Sequence, residues 1–93
     1  MAKLTNAEIK VSCALVPQWT RRAALIRRTY SFADFVAAMK FVNAVAKAAE
    51  KAQHHPNIDI RWNQVTLALT THDAGGLSAK DFALSVKCDT LAG

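Results

Sequence analysis

The sequence predicts an α+β domain, three helices packed on one face of a four-stranded antiparallel sheet, in the order α-β-β-α-β-β-α. Three observations carry this. One helix-start signature recurs three times, two intervening stretches alternate apolar and polar residues as strands do, and Pro17 and Pro56 stand where a helix must stop.

The start signature is a Ser or Thr cap, an acid three residues later, and apolar residues flanking both. It reads Leu4-Thr5-x-x-Glu8-Ile9, Tyr30-Ser31-x-x-Asp34-Phe35 and Leu77-Ser78-x-x-Asp81-Phe82. In each, the hydroxyl suits a free amide of the first turn, the carboxylate reaches back to the cap, and the apolar pair staples the entry. The first helix stops by Pro17, which lacks the amide proton a helix needs. Trp19 falls on a short strand, and Ile26, Arg28, Tyr30 and Phe32, alternating with Arg27 and Thr29, form a longer one. The second helix, capped by Ser31, carries an apolar stripe of Phe35, Met39, Val42, Ala46 and Ala49 and ends before Pro56. Ile58, Ile60 and Trp62 mark a third strand and Val65, Leu67 and Leu69 a fourth, with Asn63-Gln64 as the turn between them. The third helix runs from Ser78 to about Thr90, with Leu84, Cys88 and Leu91 facing inward. Hairpins with polar alternate positions imply a sheet covered on one face.

With 93 residues, 52% of them apolar, the chain makes one domain spanning 1–93. No apolar run approaches the roughly 20 residues a membrane span requires, and the first residues carry no apolar signal core, so a cytoplasmic location is expected. Cys13 and Cys88 fit no zinc spacing and read as reduced core thiols. The net charge of +5 raises nucleic-acid binding, but the only dense basic stretch is Arg21, Arg22, Arg27 and Arg28, with no basic helix, zinc finger or aromatic RNA-binding signature. A solvated positive face that also attracts anionic or polar ligands is the better reading.

The chemistry concentrates elsewhere. All three histidines lie in one stretch, His54 and His55 before Pro56 and His72 after the fourth strand, and imidazole both gives and takes protons near neutrality. A helix end and a strand end meet at one edge of a two-layer domain, and Asp81 follows on the third helix. Each residue also has a structural account: His54 and His55 suit a helix C-terminus, His72 suits a loop, and Asp81 completes a capping box. Gly75-Gly76 lacks the spacing of a phosphate or dinucleotide loop. Adjacent His54 and His55 project in different directions, which argues against a shared metal.

Together these residues spell a known signature. Glu50, three spacers, His54-His55-Pro56, five spacers, Trp62, nine spacers, His72, eight spacers and Asp81 resemble the motif of the pterin-4a-carbinolamine dehydratases. The likeness extends to Trp19, Asp34-Phe35, Phe41-Val42 and Thr71-His72-Asp73-Ala74-Gly75-Gly76-Leu77, covering nearly the whole chain; Trp62 stands where many relatives have Tyr. The resemblance implies a hydro-lyase that dehydrates 4a-hydroxytetrahydropterin without metal or cofactor. It implies His54 and His72 as the acid/base pair, His55 mainly as a pterin ligand, and Asp81 as the group orienting an imidazole. The pterin would lie against His54, His55, Pro56, Trp62, Thr71, His72, Asp73 and Ala74, largely on backbone groups. It further implies a homo-oligomer, dimer or tetramer, and a link to an aromatic amino-acid hydroxylase. Relatives of this fold also serve as a dimerising transcriptional cofactor or as assembly factors, so an interaction module is the alternative. A molybdopterin precursor as substrate would use the same site.

Overall fold

The computed structural model describes residues 2–93. Its elements are α1 (Asn6–Leu15), β1 (Thr20–Arg22), β2 (Leu25–Ser31), α2 (Phe35–Ala52), β3 (Asn57–Arg61), β4 (Gln64–Leu69), a short 3-10 turn (His72–Ala74) and α3 (Ala79–Ala92). The sheet is antiparallel throughout, in the order β1-β2-β4-β3. This is the expected α+β order, with the two longest strands in the middle.

The pairing Ile26↔Leu69, Arg28↔Leu67 and Tyr30↔Val65 puts these residues on one face of the sheet. Ile26, Leu67, Leu69 and Val65 are almost wholly buried, in one core with Ala38, Phe41, Val45 and Ala49 of α2 and Leu84 and Cys88 of α3. Each such aliphatic side chain contributes about 1.5–3 kcal/mol of transfer free energy. The opposite face carries exposed Arg27, Thr29 and Ser31 from β2, and the Thr29 and Thr66 hydroxyls bond across it at 2.8 Å. One face of the sheet is therefore dry and the other wet.

The first capping box forms as expected: the Thr5 N–H donates to Glu8 Oε1 at 2.9 Å and the Glu8 N–H donates to Thr5 Oγ1 at 3.2 Å. The second start differs. Ser31 stays in β2, paired with Gln64, and Asp34 is itself the cap, accepting from the Ala37 N–H at 2.8 Å. The β2–β4 ladder outcompetes the cap at Ser31, and an aspartate three residues later serves equally well.

The buried stripe of α2 is likewise rotated from the expected one. Ala38, Phe41, Val42, Val45 and Ala49 are buried, whereas Ala46 is exposed and Phe35 is 48% exposed. Phe41 sets the rotation, since its ring centroid lies 4.7 Å from that of Tyr30 and 5.1 Å from that of Phe32.

The β3–β4 turn is Trp62-Asn63, one residue earlier than expected, because Arg61 pairs with Gln64. Asn63 is locked to Phe32, donating its side-chain N–H to the Phe32 carbonyl and accepting the Phe32 N–H, both at 2.9 Å. Trp19 is buried but precedes β1, and β3 is an edge strand whose Ile58 and Ile60, on the core side, remain partly exposed.

Candidate active site

A single residue aims the histidine pair. α2 ends at Ala52, and Gln53 adopts a left-handed conformation, φ 53°, that reverses the chain. The reversal lets the His54 N–H bond back to the Ala49 carbonyl at 3.1 Å, closing the helix end. His54 thereby turns into the protein and is buried, while His55 faces solvent. Pro56 then prevents any resumption of helix and feeds β3.

The third histidine sits on a small closed loop. Thr71 and Gly76 pair as an isolated bridge, the Thr71 carbonyl accepts from both Ala74 and Gly76, and the Gly75 N–H donates to the His72 carbonyl at 3.0 Å. Gly75, at φ 75°, occupies a conformation that side chains disfavour. His72 opens the 3-10 turn of this loop and is exposed.

A cleft of about 400 Å3 lies between these two features, within the range typical of small-molecule sites. His54, His55, Thr71, His72 and Asp73 all line it, together with Gln53, Thr70 and Lys80. Helix end and strand end do converge at one edge of the domain, as the sequence implied.

Asp81 stands behind the cleft wall, fully buried, as the residue that holds His54. Its Oδ1 lies 2.6 Å from His54 Nε2, and its Oδ2 accepts from the Thr71 hydroxyl at 2.8 Å and the Ser78 N–H at 2.9 Å. The last of these is the carboxylate half of the expected capping box. One carboxylate therefore starts α3 and orients an imidazole at once. His55 has its own carboxylate partner, bonding through Nε2 to Glu50 at the surface.

The remaining expected residues are placed differently. Pro56 and Ala74 flank the cleft residues without lining the cleft. Trp62 stands at the far end of β3, five residues of strand from the histidines, or about 16 Å at 3.3 Å per residue; within one chain it does not reach the cleft. The polar groups of Thr71 are engaged internally, its backbone by the closed loop and its hydroxyl by Asp81. Gln53, Thr70 and Lys80 are cleft residues that sequence reasoning missed. Lys80 precedes the buried Asp81 on the first turn of α3, and nothing linear distinguishes it from other surface lysines. The role of Glu50 was partly legible, since it opens the signature just upstream of His54-His55.

Comparison with known proteins bears on what this cleft belongs to. A pterin-4-alpha-carbinolamine dehydratase, provisionally so named, from Acidobacterium capsulatum is 53% identical over 91 residues, covering 98% of this chain and 99% of the relative. One of the same provisional name from Chloroflexus aurantiacus is 53% identical over 93 residues and covers both chains completely. Among solved structures, a transcriptional coactivator/pterin dehydratase from Brucella melitensis superposes with a TM-score of 0.94 at 30% identity, covering 98% of this chain and 99% of that one. A pterin dehydratase-like RuBisCO assembly factor of the alpha-carboxysome shares the fold, with a TM-score of 0.69 at 22% identity over 81% of this chain and 87% of its own. The family model for pterin 4 alpha carbinolamine dehydratase matches residues 2–91, a span that takes in α1, the whole sheet, the histidine cleft and nearly all of α3, and the chain therefore belongs to that family.

Proposed function

We propose that the protein removes water from a 4a-hydroxytetrahydropterin, giving the quinonoid dihydropterin. The observation that carries this reading is the gathering of all three histidines around one cleft, one of them backed by a buried carboxylate. In the reaction the C4a–O bond breaks and the hydroxyl leaves as water with a proton from an acid. N5 loses its proton to a base, and its electron pair forms the C4a=N5 bond. One general acid and one general base suffice, and imidazoles serve as both near neutrality.

His54 and His72 are the acid/base pair in this reading, approaching from the helix side and the loop side. His55, tied to Glu50, binds the pterin, and Asp73 and Lys80 offer its polar edge an acceptor and a donor. A homo-oligomer is favoured by the unpaired edge of β3, with Ile58 and Ile60 partly exposed, and by exposed Phe35 and Val36 on α2. The structure similar to the Brucella melitensis coactivator/dehydratase keeps an added binding role compatible with the enzyme.

The test is the dehydration rate of freshly generated 4a-hydroxytetrahydropterin, with chelator present, with and without the protein. Acceleration is expected, and His54→Ala and His72→Ala should each lower kcat by about 100-fold while His55→Ala chiefly raises KM. A folded protein that leaves the spontaneous rate unchanged removes the enzymatic reading.

A further inference from the structure

We propose that Thr71 and Ser78 form a one-way hydroxyl relay that holds Asp81 toward His54, fixes His54 with its proton on Nε2, and so makes Nδ1 the atom that exchanges protons in the cleft. Thr71 and Ser78 are then positioning residues, and the catalytic part of the proposal rests on the dehydratase reading.

The direction of the relay follows from counting donors. Asp81 receives two on Oδ2, from the Thr71 hydroxyl and the Ser78 N–H, and its Oδ1 lies 2.6 Å from His54 Nε2. A carboxylate is acceptor-only, so the single Thr71 hydroxyl proton points to it. The Thr71 and Ser78 oxygens are 2.7 Å apart; with the Thr71 proton committed, Ser78 is the donor in that pair. Protons thus run from Ser78 to Thr71 to Asp81, and His54 donates to the same carboxylate from the other side.

The burial gives this arrangement its stiffness. Ser78 and Asp81 are at 0% exposure, Thr71 at 6% and His54 at 9%, so no member readily exchanges its partner for water. No buried side-chain nitrogen or oxygen among the described residues lacks a partner. Nε2 of His54 is committed to Asp81, so Nδ1 is the ring nitrogen left free to serve the cleft that His54 lines. The titratable and charged residues that line the cleft with His54 are His55, His72, Asp73 and Lys80, with Glu50 against His55. A neutral His54 in this tautomer accepts a proton at Nδ1, and the protonated ring returns it from the same atom. A ring tied the other way would present only a donor to the substrate and could not act as base.

The relay also explains why Thr71 and Ser78 flank the His72 loop. Thr71 makes both the hydroxyl bond to Ser78 and the backbone bridge to Gly76 that closes the loop. The backbone that presents His72 and the side chains that aim His54 therefore share one anchor.

The imidazole nitrogens of the ligand-free protein, resolved by long-range 1H–15N spectra at pH 8, report the tautomer without any reaction. The wild type and Thr71→Ser should show His54 with its proton on Nε2, and Thr71→Val should show mixed tautomers. In turnover, Thr71→Val should lose about 10-fold in kcat with KM little changed, and Thr71→Ser should recover it. Ser78→Ala should act in the same direction, less strongly. A wild-type His54 carrying its proton on Nδ1 overturns the proposal even if Thr71→Val does not fold. A folded Thr71→Val with wild-type tautomer and kcat overturns the relay. A protein with the expected tautomer but no dehydration keeps the relay and removes the dehydratase reading instead.

Discussion

Asp81 and Asp89 lie on one helix, the first in the opening turn of α3 and the second in its last turn. Each gathers three hydrogen-bonding partners. Those of Asp81 are an imidazole, a hydroxyl and a backbone amide. Those of Asp89 all converge on Oδ1: Trp19 Nε1 at 2.9 Å, Arg28 Nη1 at 2.8 Å and the Tyr30 hydroxyl. The Arg28 guanidinium also lies 4.3 Å from the centre of the Tyr30 ring. The difference lies in what the partners do near neutrality. Arg28 is always charged, an indole N–H does not titrate, and burial, with Asp89 alongside, pushes the Tyr30 hydroxyl upward. Asp89 therefore fastens α3 to β2 and the segment before β1 and moves no proton. Asp81 instead holds an imidazole at the wall of an open cleft, where the proposed dehydration would use it to exchange protons. Similar carboxylates, each with three partners, become a staple in one place and the backing of a cleft histidine in the other, according to one partner.

The largest contrast is expected on exchanging their roles by substitution. Asp81→Asn should lower kcat by about 100-fold, as loss of an orienting carboxylate does, with a smaller change in stability. Asp89→Ala should leave activity per folded molecule intact while stranding three donors, at a cost of about 3 kcal/mol and a fall of roughly 10–20 °C in Tm for a domain of this size. Rates normalised by the folded fraction separate the two. A folded Asp89→Ala protein with depressed kcat would merge the staple into the active site and end the comparison.

Alkaline pH should sharpen it, since the groups pushed upward gather at the staple. Burial, then the charge of Asp89, raises the Cys88 thiol from 9.0 to about 12, and Tyr30 is raised from 10.0 by burial first and Asp89 second. In both, the folded state keeps a proton that the unfolded state gives up. Their contribution to stability is thus complete below the unfolded values and is lost as pH rises, beginning near 9 for Cys88 and near 10 for Tyr30. Denaturation midpoints measured from pH 8 to 11 should fall progressively, and Cys88→Ala, though less stable at pH 8, should show a shallower fall. An equal slope in the variant would remove Cys88 from this account.

How far the two regions were legible follows from sequence distance. The capping boxes of α1 and α3 join residues three apart, so Thr5-Glu8 and Ser78-Asp81 could be read directly, and the alternation in β2 and β4 gave the central strands. The histidine cleft was legible through a signature of fixed spacings. Asp89 was not, because its partners are 59, 61 and 70 residues away and only folding joins them. The rotation of α2 was missed because Phe35 and Phe41 are equally apolar, and only the Tyr30–Phe32–Phe41 cluster decides between them. The placement of Trp62 was missed for a different reason. The signature fixes its distance along the chain from His55, and an extended strand turns that distance into separation.

Backbone strain supplies the smallest test. Ala23, Gln53 and Trp62 have positive φ without being glycine, and only Gln53 borders the cleft. An L residue in this conformation carries roughly 1–2 kcal/mol that glycine does not. The Gln53 side chain returns part of this by donating to the Glu50 carbonyl at 2.7 Å, an exposed bond of modest worth. Gln53→Gly should therefore raise stability, by about 0.5–1 kcal/mol after that loss, and Gln53→Val should lower it, because a β-branched side chain tolerates the left-handed region least. Neither substitution touches the Asp89 staple, so denaturant midpoints at neutral pH report the cleft rim alone. If Gln53→Gly is instead destabilising, the amide bond to Glu50 outweighs the strain, and Gln53 holds the helix end through its side chain. If stability rises and turnover falls, the strained residue is what keeps His54 aimed at Asp81, because a freer reversal at residue 53 lets the imidazole leave that bond.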